Sequence, residues 1–225
     1  MTDDVDAVLF DLDDTLCEYR RSATDLLADA FEAVGVEPFF AARDYYGRFG
    51  EFAEDGDDIR DVRRRAFETL AAEAGHDRAL GERLAAVFTA ERDQTNVRFL
   101  PGAERALESA LENYCVGIVT NGDPWMQSQK LAGLGIDGRV ETVVHGGHDA
   151  PYKPDPTPFY TALDTLGTEP ERAVHVGNSL ESDVAGAHNA GLRSVWLDGD
   201  SDVDPDPKPD YRVASMHAVA KEPWS

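Results

Sequence analysis

The stretch Ala7-Val8-Leu9-Phe10-Asp11-Leu12-Asp13-Asp14-Thr15-Leu16 sets the tightest limit on what this chain can fold into. An apolar run too short for a helix breaks directly into acids, the pattern of a buried strand that ends in carboxylates. An unpaired charge is costly to bury, so such acids belong at the rim of an open α/β sheet, where ligands bind. Asp11 and Asp13 are two residues apart. They share a side if the strand continues, and they splay around one reacting atom if a turn begins after Leu12. Spacing leaves both open, and Asp13-Asp14-Thr15 taken alone reads equally as a solvated turn.

The same design recurs along the chain. Pro101 opens a helix to Asn113, and Cys115-Val116-Gly117-Ile118-Val119 is a second apolar strand, ending in Thr120-Asn121-Gly122-Asp123. Asp123-Pro124 caps a helix through Leu134. Val140 to Val144 is a third strand, followed by a loop that carries His145, His148 and Lys153. His-x-x-His in a glycine loop is a weak metal signal. Lys153 is one of only four lysines and stands between Tyr152 and Pro154 in a stiff loop, so it is more than surface. Thr157 to Leu166 is a helix, Ala173 to Val176 a strand that runs into Gly177-Asn178-Ser179-Leu180-Glu181-Ser182-Asp183, and a further helix ends at Gly191. Arg193 to Leu197 and Tyr211 to Val213 complete the strands. Strands alternating with helices predict an α/β fold, a doubly wound parallel sheet with its site at the carboxyl rim.

Between Leu16 and Phe99 the periodicity is helical instead. Ser22 is the expected N-cap and Gly35 the stop of a first helix; Pro38 to about Ala53, Asp57 to Ala74 and Gly81 to Gln94 are three more. Arg20, Arg21, Arg43, Arg48 and the run Arg63-Arg64-Arg65 alternate with acids at helical spacing, which reads mainly as surface ion pairing, with one or two arginines available to a substrate anion.

Charge narrows the function. With 44 acids against 21 bases the formal net charge is −23, so the chain should repel nucleic acid and anionic membranes. Asp outnumbers Glu, and Lys is scarce, which fits a salt-adapted, halophilic surface. Cys17 and Cys115 form no disulfide framework or metal motif, and no apolar run approaches membrane-spanning length, so a soluble cytoplasmic protein is expected.

Taken in order, these motifs resemble those of the haloacid dehalogenase (HAD) superfamily of hydrolases: Asp11-Leu12-Asp13-Asp14-Thr15, then Thr120, then Lys153 in Lys-Pro-Asp-Pro, then Gly177 to Asp183. The resemblance implies a Rossmann-like core of residues 1–16 and 97–225, with an inserted helical cap of residues 17–96. It further implies that Asp11 is a nucleophile forming an aspartyl phosphate, that Asp13 carries the proton, and that Thr120, Asn121 and Lys153 bind the phosphoryl group. Mg²⁺ would be held by Asp11, the Asp13 carbonyl, Asn178 and Asp183. Asn178 departs from the acid that the family's phosphatases usually carry there, which removes one negative charge from the metal site. The expected activity is Mg-dependent hydrolysis of a small phosphorylated metabolite, as monomer or homodimer. The alternatives are a 2-haloacid dehalogenase of the same fold, a phosphomutase, or a phosphate-binding protein with little turnover. Asp13 disfavours dehalogenation, because halide leaves without a proton and that family branch lacks an acid there.

Overall fold

A computed structural model describes residues 4–52, 58–199 and 202–225. In chain order the strands are β1 (Ala7–Phe10), β2 (Cys17–Tyr19), β3 (Val97–Phe99), β4 (Cys115–Asn121), β5 (Thr142–Gly146), β6 (Ala173–Gly177), β7 (Arg193–Leu197) and β8 (Tyr211–Val213). The helices are α1 (Ala23–Val34), α2 (Ala42–Tyr46), α3 (Phe49–Phe52), α4 (Ile59–Glu73), α5 (Arg78–Glu91), α6 (Ala103–Asn113), α7 (Pro124–Leu134), α8 (Thr157–Leu166), α9 (Ala185–Ala190) and α10 (Met216–Val219), with a π-helical turn at Leu180–Val184.

The chain divides into two compact units, Met1–Glu18 with Val97–Ser225, and Tyr19–Asn96. The first is built on a six-stranded parallel sheet in the order β5-β4-β1-β6-β7-β8. Leu9 of β1 faces Gly117 of β4 on one side and His175 of β6 on the other. A strand covered on both faces has to be apolar throughout, which is why β1 shows no alternation. Its four residues are completely buried, and each large side chain among them contributes about 1.5–3 kcal/mol by leaving water. The chain winds outward from β1 through β4 to β5 and returns to β6 on the opposite side, so the carboxyl end of β1 lies where the winding reverses.

The second unit is helical, with Leu26, Phe31, Phe67, Leu84 and Phe88 in its core. Ser22 caps α1 by accepting from the Asp25 amide, and Gly35 ends it in the left-handed region at φ 78°. The helix expected over Pro38 to Ala53 is instead two short helices, α2 and α3, separated at Gly47 and Arg48; Ala53 and Asp57 lie outside the described residues. Helix α5 begins at Arg78 rather than Gly81, because Asp77 caps it by accepting from the Ala79 amide. Gly81 then sits inside the helix, where a Cβ would come within 2.3 Å of the Phe67 carbonyl oxygen, so it is the point of close approach to α4.

Two further expectations change. Cys17–Tyr19 and Val97–Phe99 pair as a two-stranded ribbon, too short for alternation to show in the sequence. Strand β5 runs from Thr142 to Gly146 instead of Val140 to Val144, because Glu141 spends its amide on the Val116 carbonyl before the ladder begins at Thr142 opposite Gly117. Among the described residues no helix is long and apolar enough to cross a membrane.

Candidate active site

The turn after β1 divides its two carboxylates. The Asp11 amide donates to the Val176 carbonyl, keeping Asp11 on the sheet edge. Beyond it the chain closes on itself: the Leu16 and Cys17 amides both donate to the Leu12 carbonyl, with Asp14 left-handed at φ 55°. Asp11 is therefore buried at 7% exposure, whereas the Asp13 side chain is 40% exposed and meets different partners. Between the two arrangements that spacing allows, the splayed one is observed.

Asp11 belongs to a buried charge cluster. Lys153 Nζ donates to Asp11 Oδ1 at 2.8 Å, to Asp183 Oδ1 at 2.6 Å and to the Val119 carbonyl at 2.7 Å. All three of its N–H donors are thus directed by β1, β4 and the turn after β6. Asp183 is held in turn by His175 Nε2 at 3.0 Å and by the Ser179 amide at 2.9 Å. Gly177 makes room for this, since a Cβ there would lie 2.3 Å from the Asp183 carboxyl carbon.

One cation thus faces two carboxylates, and the charges are uneven. Burial pushes Asp11 up to about 7 despite the Lys153 charge, with Asp183 adding to the rise. Burial would push Asp183 up as well, but Lys153 and His175 outweigh it and hold that carboxyl below the usual range. Burial would pull Lys153 down, and the two carboxylates instead raise it. Burial also lowers His175. Its Nε2 meets Asp183 Oδ1 within the same buried cluster.

Asn121, expected to bind phosphate, directs both ends of its amide to Lys153: Nδ2 donates to the Lys153 carbonyl at 3.0 Å, and Oδ1 accepts from the Lys153 amide at 2.8 Å. It orients the lysine loop from the end of β4. Thr120 is buried and accepts from Gln127 Nε2 at 2.8 Å. Gln127 Nε2 also lies 2.9 Å from Asp13 Oδ2, and Lys130 Nζ lies 2.6 and 2.7 Å from the two Asp13 oxygens. Gln127 and Lys130, three residues apart on α7, are buried and share one helix face.

Sequence reasoning missed Gln127, Lys130 and His175. The signal that singled out Lys153, its rarity among four lysines, applied equally to Lys130. His175 stands in an unbroken apolar strand, which offers no such signal. His145 and His148 both pair with Asp149.

Among the described residues no group of three or more His, Cys, Asp or Glu side chains is arranged to hold a metal ion. Amide, hydroxyl and main-chain oxygens tell more about a hard cation. The Thr15 hydroxyl lies 3.3 Å from Asp11 Oδ2 and 3.4 Å from Asn178 Oδ1, so a carboxylate and an amide oxygen both face one hydroxyl. A single hydroxyl hydrogen cannot satisfy both at such distances, so lone pairs remain there beside a cluster short of positive charge. This oxygen set fits Mg²⁺. Asp183 is more committed, with three of its roughly four lone-pair positions taken by Lys153, His175 and Ser179.

Residues 5–191 match the family model for the haloacid dehalogenase-like hydrolases. The chain is 32% identical to a phosphoserine phosphatase of Thermus thermophilus, over 94% of this chain and 96% of the relative. Among solved structures it resembles a 2-haloacid dehalogenase of Pseudomonas syringae, with a TM-score of 0.67 and 26% identity over 98% and 100% of the two chains. It also resembles a magnesium-bound HAD hydrolase of Bacillus subtilis, with a TM-score of 0.75 and 21% identity over 97% and 98%. The last shows the shared fold. Family model, full-length relative and fold agree, and the chain belongs to the haloacid dehalogenase-like hydrolases.

Proposed function

We propose that this hydrolase cleaves a small phosphate monoester through an aspartyl phosphate on Asp11. The observation that carries the reading is the division of the β1 carboxylates: Asp11 buried on Lys153, and Asp13 turned out to Lys130 and Gln127. An Asp11 carboxylate oxygen attacks phosphorus, and the ester oxygen leaves as it takes a proton from Asp13. Water then attacks the acyl phosphate, returns a proton to Asp13 and releases phosphate, regenerating Asp11. Lys153 and the Thr120 hydroxyl hold the phosphoryl oxygens, Asn121 orients Lys153, and Asp183 keeps Lys153 charged. Mg²⁺ would be held by Asp11 and Asn178, with the Asp13 carbonyl and the remaining position on Asp183. When bound it supplies positive charge where two anions must approach.

Phosphatase relatives support this reading, and the T. thermophilus relative acts on a phosphorylated amino acid by its name. The acidic surface supports a salt-rich cytosol as the working environment. The helical unit Tyr19–Asn96 takes the substrate-selecting role of a cap. The test is a panel of phosphate monoesters assayed in molar KCl with Mg²⁺, with L-2-chloropropionate included. Phosphate release is expected. Halide release without phosphate release would replace the reading with dehalogenation.

A further inference from the structure

In the helical unit Arg63 and Arg92 each bury a guanidinium nitrogen that meets no acid among the described residues. Arg63 of α4 is 4% exposed, and its Nε is buried with no hydrogen-bond partner. Arg92, at the end of α5, is half-buried, and its Nη1 is likewise buried without a partner. Among the described residues neither meets a carboxylate. The contrast with their neighbours is sharp: Arg64 pairs with Asp61 and Glu68, Arg48 with Glu51 and Glu73, and Arg21 with Asp29 and Glu91. A chain with twice as many acids as bases could easily have supplied a partner.

What surrounds the pair is aromatic and hydroxylic. Arg63 lies over the Phe88 ring at 4.9 Å, and Arg92 lies over Phe88 at 5.9 Å and over Tyr19 at 3.6 Å. Arg63 Nη1 donates to the Thr89 hydroxyl at 2.8 Å and Arg92 Nη2 to the Tyr46 hydroxyl at 3.4 Å. Arg63 also bonds the Tyr45 hydroxyl, whose ionisation burial suppresses. The Tyr19 hydroxyl is taken by Gln94. The rings cover guanidinium faces, leaving the edges as the directions for a further partner, while Tyr46 is 46% exposed and gives the cluster a side open to solvent. Uncompensated buried charge is strongly unfavourable, and each buried unsatisfied donor calls for an explanation.

We infer that Arg63 and Arg92 form a binding site for a carboxylate. Two cationic edges, each with an unpartnered nitrogen, match a planar anion with two oxygens, and guanidinium–carboxylate bonding is strong because both partners are charged. The source of the carboxylate is the acid group of a phosphorylated substrate or a free organic acid. Only in the first case does the inference rest on the phosphatase reading.

The experiment uses the full chain in molar KCl, so that chloride is the competitor in excess. Glycolate is the probe, with melting temperature and calorimetric titration as readouts. Wild type should be stabilised by millimolar glycolate; Arg92→Met, which removes a half-buried charge, and Arg63→Lys, which keeps the charge but loses the fork, should each weaken binding by about tenfold. No stabilisation of wild type beyond that from equal added KCl, or unaltered glycolate binding in Arg92→Met, would overturn the site. The source is then read from kinetics on a matched pair, 2-phosphoglycolate and 2-hydroxyethyl phosphate. A KM rise in Arg92→Met about tenfold larger for phosphoglycolate than for its uncharged counterpart supports the site as one for substrate. Equal effects on the two esters, with glycolate binding lost, support it as one for a free acid. Failure of wild type to hydrolyse any phosphate ester, with glycolate binding intact, would refute the phosphatase reading and leave the site standing.

Discussion

Lys130 Nζ grips both carboxylate oxygens of Asp13, at 2.6 and 2.7 Å, with the lysine side chain 4% exposed and the aspartate side chain 40% exposed. The asymmetry of burial makes the two halves of this pair unequal to mutation. Asp13→Asn takes a carboxylate away from a buried ammonium and should cost about 3 kcal/mol, whereas Lys130→Met replaces that ammonium with an apolar chain of similar length and leaves an aspartate that water can solvate. Urea melts of the single and double variants check this. The double variant should recover most of what Asp13→Asn loses, and independent, additive effects would contradict the coupling.

Lys130 should also matter to turnover through the group it holds. In Lys130→Met the rate should fall more for an alkyl phosphate, whose poor leaving group needs a proton from Asp13, than for p-nitrophenyl phosphate, whose leaving group does not. The ratio of kcat values on the two esters is the measurement, and a ratio equal to wild type would leave Lys130 a purely structural role.

Asp11→Asn should retain the fold and abolish phosphate release. Rapid quench of wild type should trap an acid-stable, base-labile acyl phosphate that the variant lacks. Substantial turnover in the variant, with deamidation excluded by mass spectrometry, would remove Asp11 from the nucleophile's role.

Asn178→Asp puts a carboxylate where an amide oxygen now shares the Thr15 hydroxyl with Asp11 Oδ2. The half-saturating Mg²⁺ concentration should fall about tenfold, or ~1.4 kcal/mol. The metal titration decides this rather than the maximal rate, because tighter metal can slow product release. Equal half-saturation in both proteins would show that residue 178 does not touch the metal.

Asp210 ties the start of β8 to β7: it accepts from the Ser194 amide at 2.8 Å, the Ser194 hydroxyl at 3.0 Å and His188 Nε2 at 3.2 Å. Burial pushes its carboxyl up, but these bonds outweigh it and hold Asp210 below the ordinary value of 3.8. The stabilisation is therefore present above the unfolded value and lost as pH falls through the folded one. Asp210→Asn should lower the melting temperature by about 2–4 °C at pH 7, equivalent to about 1 kcal/mol for an exposed group, and by progressively less below pH 4. A deficit that does not change with pH would point to lost geometry rather than charge.

The melting temperature of wild type should climb from low to molar KCl as ions screen 44 acids against 21 bases. Potassium sulfate, which also strengthens apolar burial, separates screening from salting out. A flat response in KCl would deny the acidic surface that role.

Local patterns carried much of the fold in the sequence. The four apolar residues of β1, the Ser22 cap, the Gly35 stop and the strand over Arg193–Leu197 are short-range features, each decided by burial or backbone freedom within a few residues. The placing of Asp11 and Thr120 at the ends of β1 and β4, and of Lys153 and Asp183 in the segments that follow β5 and β6, was legible for the same reason. Spacing could not decide which way Asp13 turns, because a strand and a turn are both compatible with Asp-x-Asp, and the Leu16 and Cys17 amides on the Leu12 carbonyl settle it. Nor could it give Asn121 to the Lys153 main chain, Lys130 to Asp13, or His175 to Asp183. Those partners lie 32, 117 and 8 positions apart, and they meet only because parallel β1, β4 and β6 bring their carboxyl ends, with the loops and helices that follow them, to one rim. Arg63 shows the same division. Its neighbours Arg64 and Arg65 share its sequence context, and only packing against Phe88 and Thr89 separates a buried, acid-free guanidinium from a solvated one.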